Sequence, residues 1–170
     1  MKHERIAVHN STCLPCLTNH CVSQTSSSSY IIHAAPETVK YITKCVQSKI
    51  YNDTSFYRSD FVIQFGLHGT GKQNPHGNLM VNETNLGRCG VVSNTRGTAA
   101  CAHFDVPDCG GSEIFINLNE NRHLDQAYGG FCVFARVETN DTTSFQTIDA
   151  IAAAVKQDGK VIIRQASIVP

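Results

Sequence analysis

The segment YNDTSFYRSDFVIQFGLHGTG, residues 51–71, is the part of the chain around which the rest can be organised. Its only arginine, Arg58, precedes an apolar run (FVI) at residues 61–63, and Gln64 follows that run. Bulky and β-branched residues favour a strand, and the three glycines that come next indicate a loop. By itself, a cation beside an apolar strand is most simply explained as a solvated strand end. A functional role for Arg58 therefore requires support from the rest of the sequence.

Length and composition predict one domain. A chain of 170 residues is long enough for one sizeable hydrophobic core. We therefore expect a single domain over residues 1–170, in which residues 10–29 form an atypical segment rich in cysteine and serine. The 14 lysines and arginines balance 14 aspartates and glutamates, which argues against nucleic-acid binding through a broad basic field. Because no apolar run approaches the length of a bilayer-spanning helix, we expect no membrane span.

The first ten residues, MKHERIAVHN, lack the apolar core of a secretory signal. The sequence therefore fits a cytoplasmic protein, or a protein of the secretory-pathway lumen if residues upstream of this chain are missing. Four Asn-x-Ser/Thr sequons, at Asn10, Asn52, Asn82 and Asn140, would be relevant only in a secreted protein. Composition alone does not fix the compartment.

Eight cysteines occur in the chain, and three of them form a cluster near its start. Cys13 and Cys16 form a C-x-x-C pair with His20 and Cys21 close behind, an arrangement similar to half of a zinc site. No second C-x-x-C pair exists in the sequence, and no convincing helix follows the first, as a redox-active pair would require. We favour a disulfide or ordinary loop cysteines over zinc, and the sequence leaves both of these alternatives open.

Hydrophobic periodicity predicts two helices and several short strands. Residues 36–50 are the clearest helix, because Pro36 suits a first turn and apolar residues recur every three or four positions. Residues 148–155 form a second, alanine-rich helix, and the four-serine run at residues 26–29 indicates a flexible turn. The predicted strands are residues 4–9, 30–33, 61–65, 79–81, 97–102, 114–116, 131–134 and 161–169. Many short strands with two distant helices predict a mainly β fold, a barrel or closed sheet whose open ends the helices cover.

A series of short sequence blocks runs through residues 30–170. In order, the blocks are APET (35–38), YNDTSFYR (51–58), FVIQ (61–64), NE (82–83), NTRGT (94–98), GSEIFI (111–116), LD (124–125) and VFARV (133–137). In order and spacing this series resembles the cyclophilins, a family of peptidyl-prolyl cis-trans isomerases. The resemblance implies an eight-stranded antiparallel closed β-barrel capped by two α-helices, which agrees with the fold predicted from periodicity alone.

The resemblance also implies roles for individual residues. Arg58 matches the family's catalytic arginine, and Gln64 matches the polar partner that orients the arginine and the peptide. Four residues match the walls of the pocket that holds the proline ring: Phe61, Val62, Phe115 and Leu124. On periodicity alone, Phe115 and Leu124 would be assigned to the core. Ala102 and His103 match the family's Ala-Asn pair, whose backbone binds the substrate chain. The other substrate-binding candidates stand where the family has different residues: Glu113 in place of glutamine, His123 in place of tryptophan or phenylalanine, and Phe131 in place of histidine.

The chemistry implied by these residues makes and cuts no bond. An X-Pro bond isomerises slowly because twisting it breaks amide resonance, at a barrier of about 18–20 kcal/mol. An apolar pocket would hold the proline ring while a guanidinium donates to the prolyl nitrogen, which gains a lone pair in the twisted state. We therefore expect an isomerase that assists protein folding, with neither cofactor nor metal, acting as a monomer on proline-containing peptides and client proteins.

The sequence departs from the family pattern at the proposed site. Only two residues separate Arg58 from Phe61, where the family has a longer connection, and the Glu113 carboxylate would be near enough to Arg58 to pair with it. His123 in place of tryptophan predicts weakened binding of cyclosporin-type cyclic peptides. The alternative to a working isomerase is therefore a catalytically weak module that binds proline-containing segments. A third and weaker hypothesis is a secreted, disulfide-bearing protein in which the blocks match by chance.

Overall fold

Eight strands close into an antiparallel barrel in the computed structural model, which describes residues 5–12, 22–30, 34–86 and 92–169. Around the barrel the strand order is β1-β2-β7-β5-β6-β4-β3-β8, and β8 pairs again with β1. The strands are β1 (Arg5–Thr12), β2 (Val22–Tyr30), β3 (Thr54–Ser59), β4 (Val62–Gly66), β5 (Thr98–Cys101), β6 (Ile114–Asn117), β7 (Val133–Arg136) and β8 (Val161–Val169). Helix α1 (Pro36–Gln47) packs against β7 and β8, and helix α2 (Thr142–Asp158) packs mainly against β2 and β3. The predicted fold, a mainly β barrel with two helices, is confirmed.

Helix α1 follows from the local sequence. Pro36 occupies its first turn, where a missing N–H group costs nothing, and Val39, Ile42 and Val46 on one face are buried. The helix ends at Gln47 rather than at the predicted residue 50, because the chain turns at Lys49, whose φ is 58°. This early turn leads directly into β3.

Helix α2 is longer than the eight residues predicted, and both of its ends have recognisable caps. Asp141 precedes it, and the Asp141 side chain accepts a hydrogen bond from the N–H of Ser144 at 3.0 Å. Gly159 follows it with φ 78°, the left-handed conformation that glycine adopts easily. The apolar pattern indicated only the buried middle of the helix, since its first turn is polar.

Three predictions for the strands were wrong or incomplete. Residues 26–29 lie in β2 rather than in a turn, because the backbone of the serine run pairs continuously with β1. Residues 79–81 form only an isolated bridge, from Leu79 to Gly110. Strand β2 ends at Tyr30, and residues 31–33 lie outside the described residues, as does the cysteine cluster at residues 13–21.

Side chains alternate between two faces of the barrel wall, and each face has its own apolar cluster. Ile63 and Phe65 of β4 and Ile116 of β6 belong to the large core inside the barrel. The intervening residues, Val62 and Phe115, belong to a smaller cluster on the outer face. We call this outer cluster the apolar floor, and it consists of Val62, Ala100, Phe115, Leu124, Phe131 and Val133.

No helix among the described residues is both long enough and apolar enough to cross a membrane.

Candidate active site

Strand pairing places Arg58, Gln64, Phe115 and Ala100 in one row across four strands. Arg58 is paired with Gln64 between β3 and β4, Gln64 with Phe115 between β4 and β6, and Phe115 with Ala100 between β6 and β5. Directly opposed residues on one face of a sheet are close enough to interact. The row therefore brings a guanidinium, an amide and an aromatic ring together along one edge of the apolar floor.

The apolar floor is completed by side chains from outside the strands. Leu124 comes from a short 3-10 turn (Arg122–Asp125), and Phe131 from the segment just before β7. The ring of Phe131 meets that of Phe115 edge-on, with centroids 5.5 Å apart, and stacks on His103 at 4.3 Å. Phe131 is buried within the floor, so the structure brings together Phe115, Leu124 and Phe131, all three of which the sequence analysis proposed as substrate-binding residues.

Arg58 is held on three sides. Its Nε donates to Asp60 Oδ2 at 2.7 Å and its Nη1 donates to Gln64 Oε1 at 3.0 Å. Its Cζ lies 5.3 Å from the centroid of the Phe61 ring, a cation–π contact. The guanidinium is not paired with Glu113. The Arg58 side chain is 42% exposed, but these three contacts hold it beside Phe61 at the edge of the floor.

A β-bulge explains how two residues of β3 reach Gln64. Phe56 opposes Phe65, but Arg58 opposes Gln64, so the register slips at Tyr57. At such a bulge two residues of one strand face one residue of its partner. Tyr57 Oη accepts from Gln64 Nε2 at 2.7 Å, while Gln64 Oε1 accepts from Arg58. Without the slip, Tyr57 would oppose Gln64 and Arg58 would lie on the other face, so the sequence alone did not indicate that both side chains reach Gln64.

Glu113 does not pair with Arg58, which corrects the interaction expected from the sequence. The Glu113 carboxylate accepts from Tyr57 Oη at 2.6 Å and from the N–H groups of Leu67 and His68 at 2.6 and 3.0 Å. A Cβ at Gly66 would overlap this carboxylate, so the glycine is what lets Glu113 approach the loop. Burial, followed by the Glu113 carboxylate, raises the pKa of Tyr57 above its ordinary value. Tyr57 therefore stays protonated and donates to Glu113.

The remaining predicted site residues lie along the rim of the floor. The N–H of Ala102 donates to the Glu113 carbonyl at 2.8 Å. Both ring nitrogens of His103 lie within hydrogen-bond distance of a backbone carbonyl: Nδ1 is 2.6 Å from that of Phe104, and Nε2 is 2.9 Å from that of Gly130. His123 is exposed and meets the Phe61 ring edge-on, with centroids 5.7 Å apart. His123 and Phe61 thus form one side of the rim, and His103 forms the other.

A chain of buried amides connects the backbone of Phe61 to that of Phe131. Asn121 Nδ2 donates to the Phe61 carbonyl at 3.0 Å and to Asn117 Oδ1 at 2.8 Å. Asn117 Nδ2 donates to Asn94 Oδ1 at 3.1 Å, and Asn94 Nδ2 donates to the Phe131 carbonyl at 3.0 Å. The sequence analysis did not identify these residues, because an isolated asparagine is usually a sign of a loop or turn.

The described residues contain no cluster of three or more histidine, cysteine, aspartate or glutamate side chains able to hold a metal ion. Four cysteines are described, and all are free thiols: Cys45, Cys101, Cys109 and Cys132. Burial raises the pKa of Cys101 to about 12 and that of Cys132 to about 11. Both thiols are therefore protonated near neutral pH and unsuited to act as nucleophiles.

Comparisons with known proteins find a matching family and related sequences. The family described as cyclophilin type peptidyl-prolyl cis-trans isomerase matches residues 31–169. Peptidyl-prolyl cis-trans isomerase B of Escherichia coli is 38% identical over 112 residues, which cover 61% of this chain and 65% of that protein. A peptidyl-prolyl cis-trans isomerase of Acinetobacter baylyi is 34% identical over 108 residues, covering 61% of this chain and 55% of that protein. The chain thus spans less than two thirds of the length of these relatives.

Solved structures show the same fold at lower sequence identity. A cyclophilin type peptidyl-prolyl cis-trans isomerase of Cryptosporidium parvum has a TM-score of 0.71 and 18% identity, covering 99% of both chains. A crystal structure of the same protein in the presence of the dipeptide Ala-Pro has a TM-score of 0.70 and 18% identity, with the same coverage. At this identity the similarity establishes the fold of the chain.

Proposed function

Because the chain belongs to the family of cyclophilin type peptidyl-prolyl cis-trans isomerases, we propose that it catalyses the cis–trans isomerisation of X-Pro bonds in peptides and client proteins, and so assists their folding. The observation that carries the proposal is the row of Arg58, Gln64 and Phe115 at the edge of the apolar floor. It combines a permanent cation with an apolar surface on which a proline ring can rest. The crystal structure of the structural relative in the presence of the dipeptide Ala-Pro supports a proline-containing ligand.

The barrier to be lowered is that of twisting an amide. Rotation about an X-Pro bond loses resonance at a barrier of about 18–20 kcal/mol, and the prolyl nitrogen becomes a hydrogen-bond acceptor only in the twisted state. A donor aimed at that nitrogen therefore binds the transition state more tightly than either planar state. Each tenfold of acceleration needs about 1.4 kcal/mol of such preference.

Arg58 has donors left for this purpose. Asp60 takes the Nε proton and Gln64 takes one proton of Nη1, whereas Nη2 has no hydrogen-bond acceptor among the described residues. A guanidinium has five N–H groups, so Nη2 and the second proton of Nη1 are available to the prolyl nitrogen and the prolyl carbonyl. We propose Arg58 as the catalytic residue and Gln64 as the residue that fixes its orientation.

The apolar residues and the rim would hold the peptide. We propose that Val62, Phe115, Leu124 and Phe131 contact the proline ring, and that Phe61 closes one side of this pocket. The substrate chain would run beside Ala102 and His103. We further propose that the protein acts as a monomer, and that cyclosporin-type peptides bind weakly, because the exposed His123 offers less apolar area than tryptophan.

The test compares isomerisation of a short X-Pro peptide by the wild type and by Arg58→Ala. We expect Arg58→Ala to lower kcat/KM about 100-fold, the cost of removing one preorganised donor from a transition state. The matched control is Arg164→Ala, which removes an exposed arginine that is paired with Asp53 at 3.9 Å on a different part of the barrel. Equal rates in wild type and Arg58→Ala would refute the proposal. Peptide binding without any acceleration would instead identify a binding module.

A further inference from the structure

Asp60 lies in the two-residue connection between β3 and β4 and has no part in the roles proposed so far. Its carboxylate contacts Arg58 through one oxygen and the backbone through the other: Oδ2 accepts from Arg58 Nε at 2.7 Å, and Oδ1 accepts from the N–H of Val62 at 3.0 Å. We propose that Asp60 is a positioning residue that aims Arg58 along the edge of the apolar floor. The inference rests on the proposed function of Arg58.

The carboxylate is itself held in a fixed place. The N–H of Asp60 donates to the Val62 carbonyl at 2.9 Å, while the N–H of Val62 donates to the Asp60 side chain. These two hydrogen bonds hold the backbone and the side chain of Asp60 against the backbone of Val62. Because the Val62 N–H holds Oδ1, rotation of the carboxylate is restricted and Oδ2 is directed toward Arg58. Arg58 therefore pairs with a carboxylate that does not have to be ordered first.

Asp60 and Gln64 together define the plane of the guanidinium. Asp60 binds the Nε edge and Gln64 binds Nη1, and these two contacts lie on adjacent sides of one planar group. The ring of Phe61 lies 5.3 Å from Arg58 Cζ. Neither contact uses Nη2, so the N–H groups of Nη2 are left for a substrate. Without Asp60, rotation about the last bonds of the arginine would be limited only by Gln64 and the Phe61 ring.

A contribution to stability does not explain this arrangement. The Arg58 and Asp60 side chains are each 42% exposed, and an exposed ion pair contributes only about 0–1 kcal/mol to folding. Holding a catalytic group in its reactive orientation affects the rate far more strongly than the stability. The short connection, which the sequence analysis noted as a departure from the family pattern, places a carboxylate where it can direct the arginine.

The experiment replaces Asp60 by asparagine, which keeps one neutral oxygen for the Val62 N–H but puts an NH2 group in place of the oxygen that accepts from Arg58. We expect kcat to fall about tenfold while KM changes less than about twofold, because orientation is lost and the apolar floor is intact. Asp60→Glu, which retains a carboxylate, should restore part of the loss. The control is Asp53→Asn, which removes a carboxylate from the exposed pair with Arg164 at the opposite end of β3, and it should leave kcat unchanged.

A second measurement does not depend on turnover. In an NMR spectrum of ¹⁵N-labelled protein, the Nε–Hε proton of Arg58 should exchange with water slowly in the wild type and in Asp53→Asn, and markedly faster in Asp60→Asn. Unchanged exchange and unchanged kcat would overturn the inference. So would a higher kcat, which would mean that Asp60 competes with the substrate for Arg58. A rise in KM with a lower Tm would identify a purely structural role in the turn and would likewise overturn it.

The two proposals fail in different ways. If the wild type does not accelerate isomerisation at all, the proposed function fails, and Nε–Hε exchange still decides whether Asp60 fixes Arg58. If the wild type is active and Asp60→Asn is equally active, the function stands and the positioning role of Asp60 falls. Should Asp60→Asn fail to fold, Asp60→Glu is compared with the wild type in its place, and the expected loss of kcat is smaller.

Discussion

At the scale of single residues, the direction of each hydrogen bond in the chain from Glu113 to Arg58 is fixed by two groups: a carboxylate that can only accept and a guanidinium that can only donate. A carboxylate only accepts, so Tyr57 must donate its hydroxyl proton to Glu113. The Tyr57 oxygen then accepts from the amide nitrogen of Gln64, which turns the amide oxygen of Gln64 toward Arg58. Arginine only donates, so this orientation is the one it can use. Glu113 thus acts on Arg58 through two intervening side chains, although it does not touch it.

Tyr57→Phe breaks this chain at its centre. We expect kcat/KM to fall about threefold to tenfold, because the Gln64 amide is no longer held with its oxygen toward Arg58, and stability to fall by about 1 kcal/mol, the net value of a lost hydrogen bond. Isomerisation kinetics and urea denaturation measure the two effects. Since the pKa of Tyr57 is raised, the wild-type rate should not change through this group between neutral pH and about pH 10, its ordinary pKa. A rate unchanged in Tyr57→Phe would contradict the role assigned to the chain.

At the scale of secondary structure, the start of α1 is capped from elsewhere in the sequence. Ala35, which precedes the helix, has no side chain able to cap it. The Glu83 carboxylate, from the 3-10 turn Glu83–Leu86, accepts from the N–H groups of Glu37 and Thr38 at 3.0 and 2.7 Å and from Thr38 Oγ1 at 2.6 Å. These are donors that a helix leaves unpaired in its first turn. A buried carboxylate therefore joins α1 to a loop 45 residues away in sequence.

Glu83→Ala should destabilise the protein by about 2 kcal/mol, since it leaves the buried N–H of Thr38 unpaired and removes a charge that is favourable at the positive end of the helix dipole. Urea denaturation followed by circular dichroism measures the change. Glu37→Ala is the matched control. Glu37 also lies in the first turn of α1 but is exposed, and its loss should cost less than about 0.5 kcal/mol. Equal losses in the two variants would show that the charge near the helix, rather than the cap, matters.

At the scale of the whole molecule, the sequence predicted those elements whose conformation follows from the residues next to them in the chain. The buried face of α1, the apolar run of β4 and the order of the site blocks are all local or nearly local patterns. The serine run at residues 26–29 became a strand because its backbone pairs with β1, and side-chain composition does not report such pairing. Asp60, Tyr57 and Glu83 were missed for a related reason. Their roles depend on a tight turn, a bulge and a contact distant in sequence, none of which has a periodic signature.

The floor of the site and the barrel are connected through Asp125. Its carboxylate accepts from the N–H of Asn94 at 2.7 Å, from Asn94 Nδ2 at 2.9 Å, and from Ser93 Oγ. Burial by itself would raise the pKa of Asp125, but the hydrogen bonds from Ser93 and Asn94 outweigh it, and the pKa lies below its ordinary value. Asn94 is also the end of the buried amide chain that holds Phe131. The charge on Asp125 therefore supports Phe131 in the apolar floor as well as the fold.

A lowered pKa in the folded state means that the ionised form of Asp125 stabilises the protein above the unfolded pKa, about 3.9 for aspartate. This contribution is lost as pH falls through the folded value. Asp125→Asn should therefore cost about 1 kcal/mol at pH 7, a typical hydrogen-bond loss, and the difference from the wild type should shrink as pH falls below about 4. Urea denaturation of both proteins at pH 7 and at pH 3 measures this. A difference that stays constant, or grows, toward pH 3 would mean that the ionised carboxylate does not stabilise this junction, and that the amide chain supports the pocket without it.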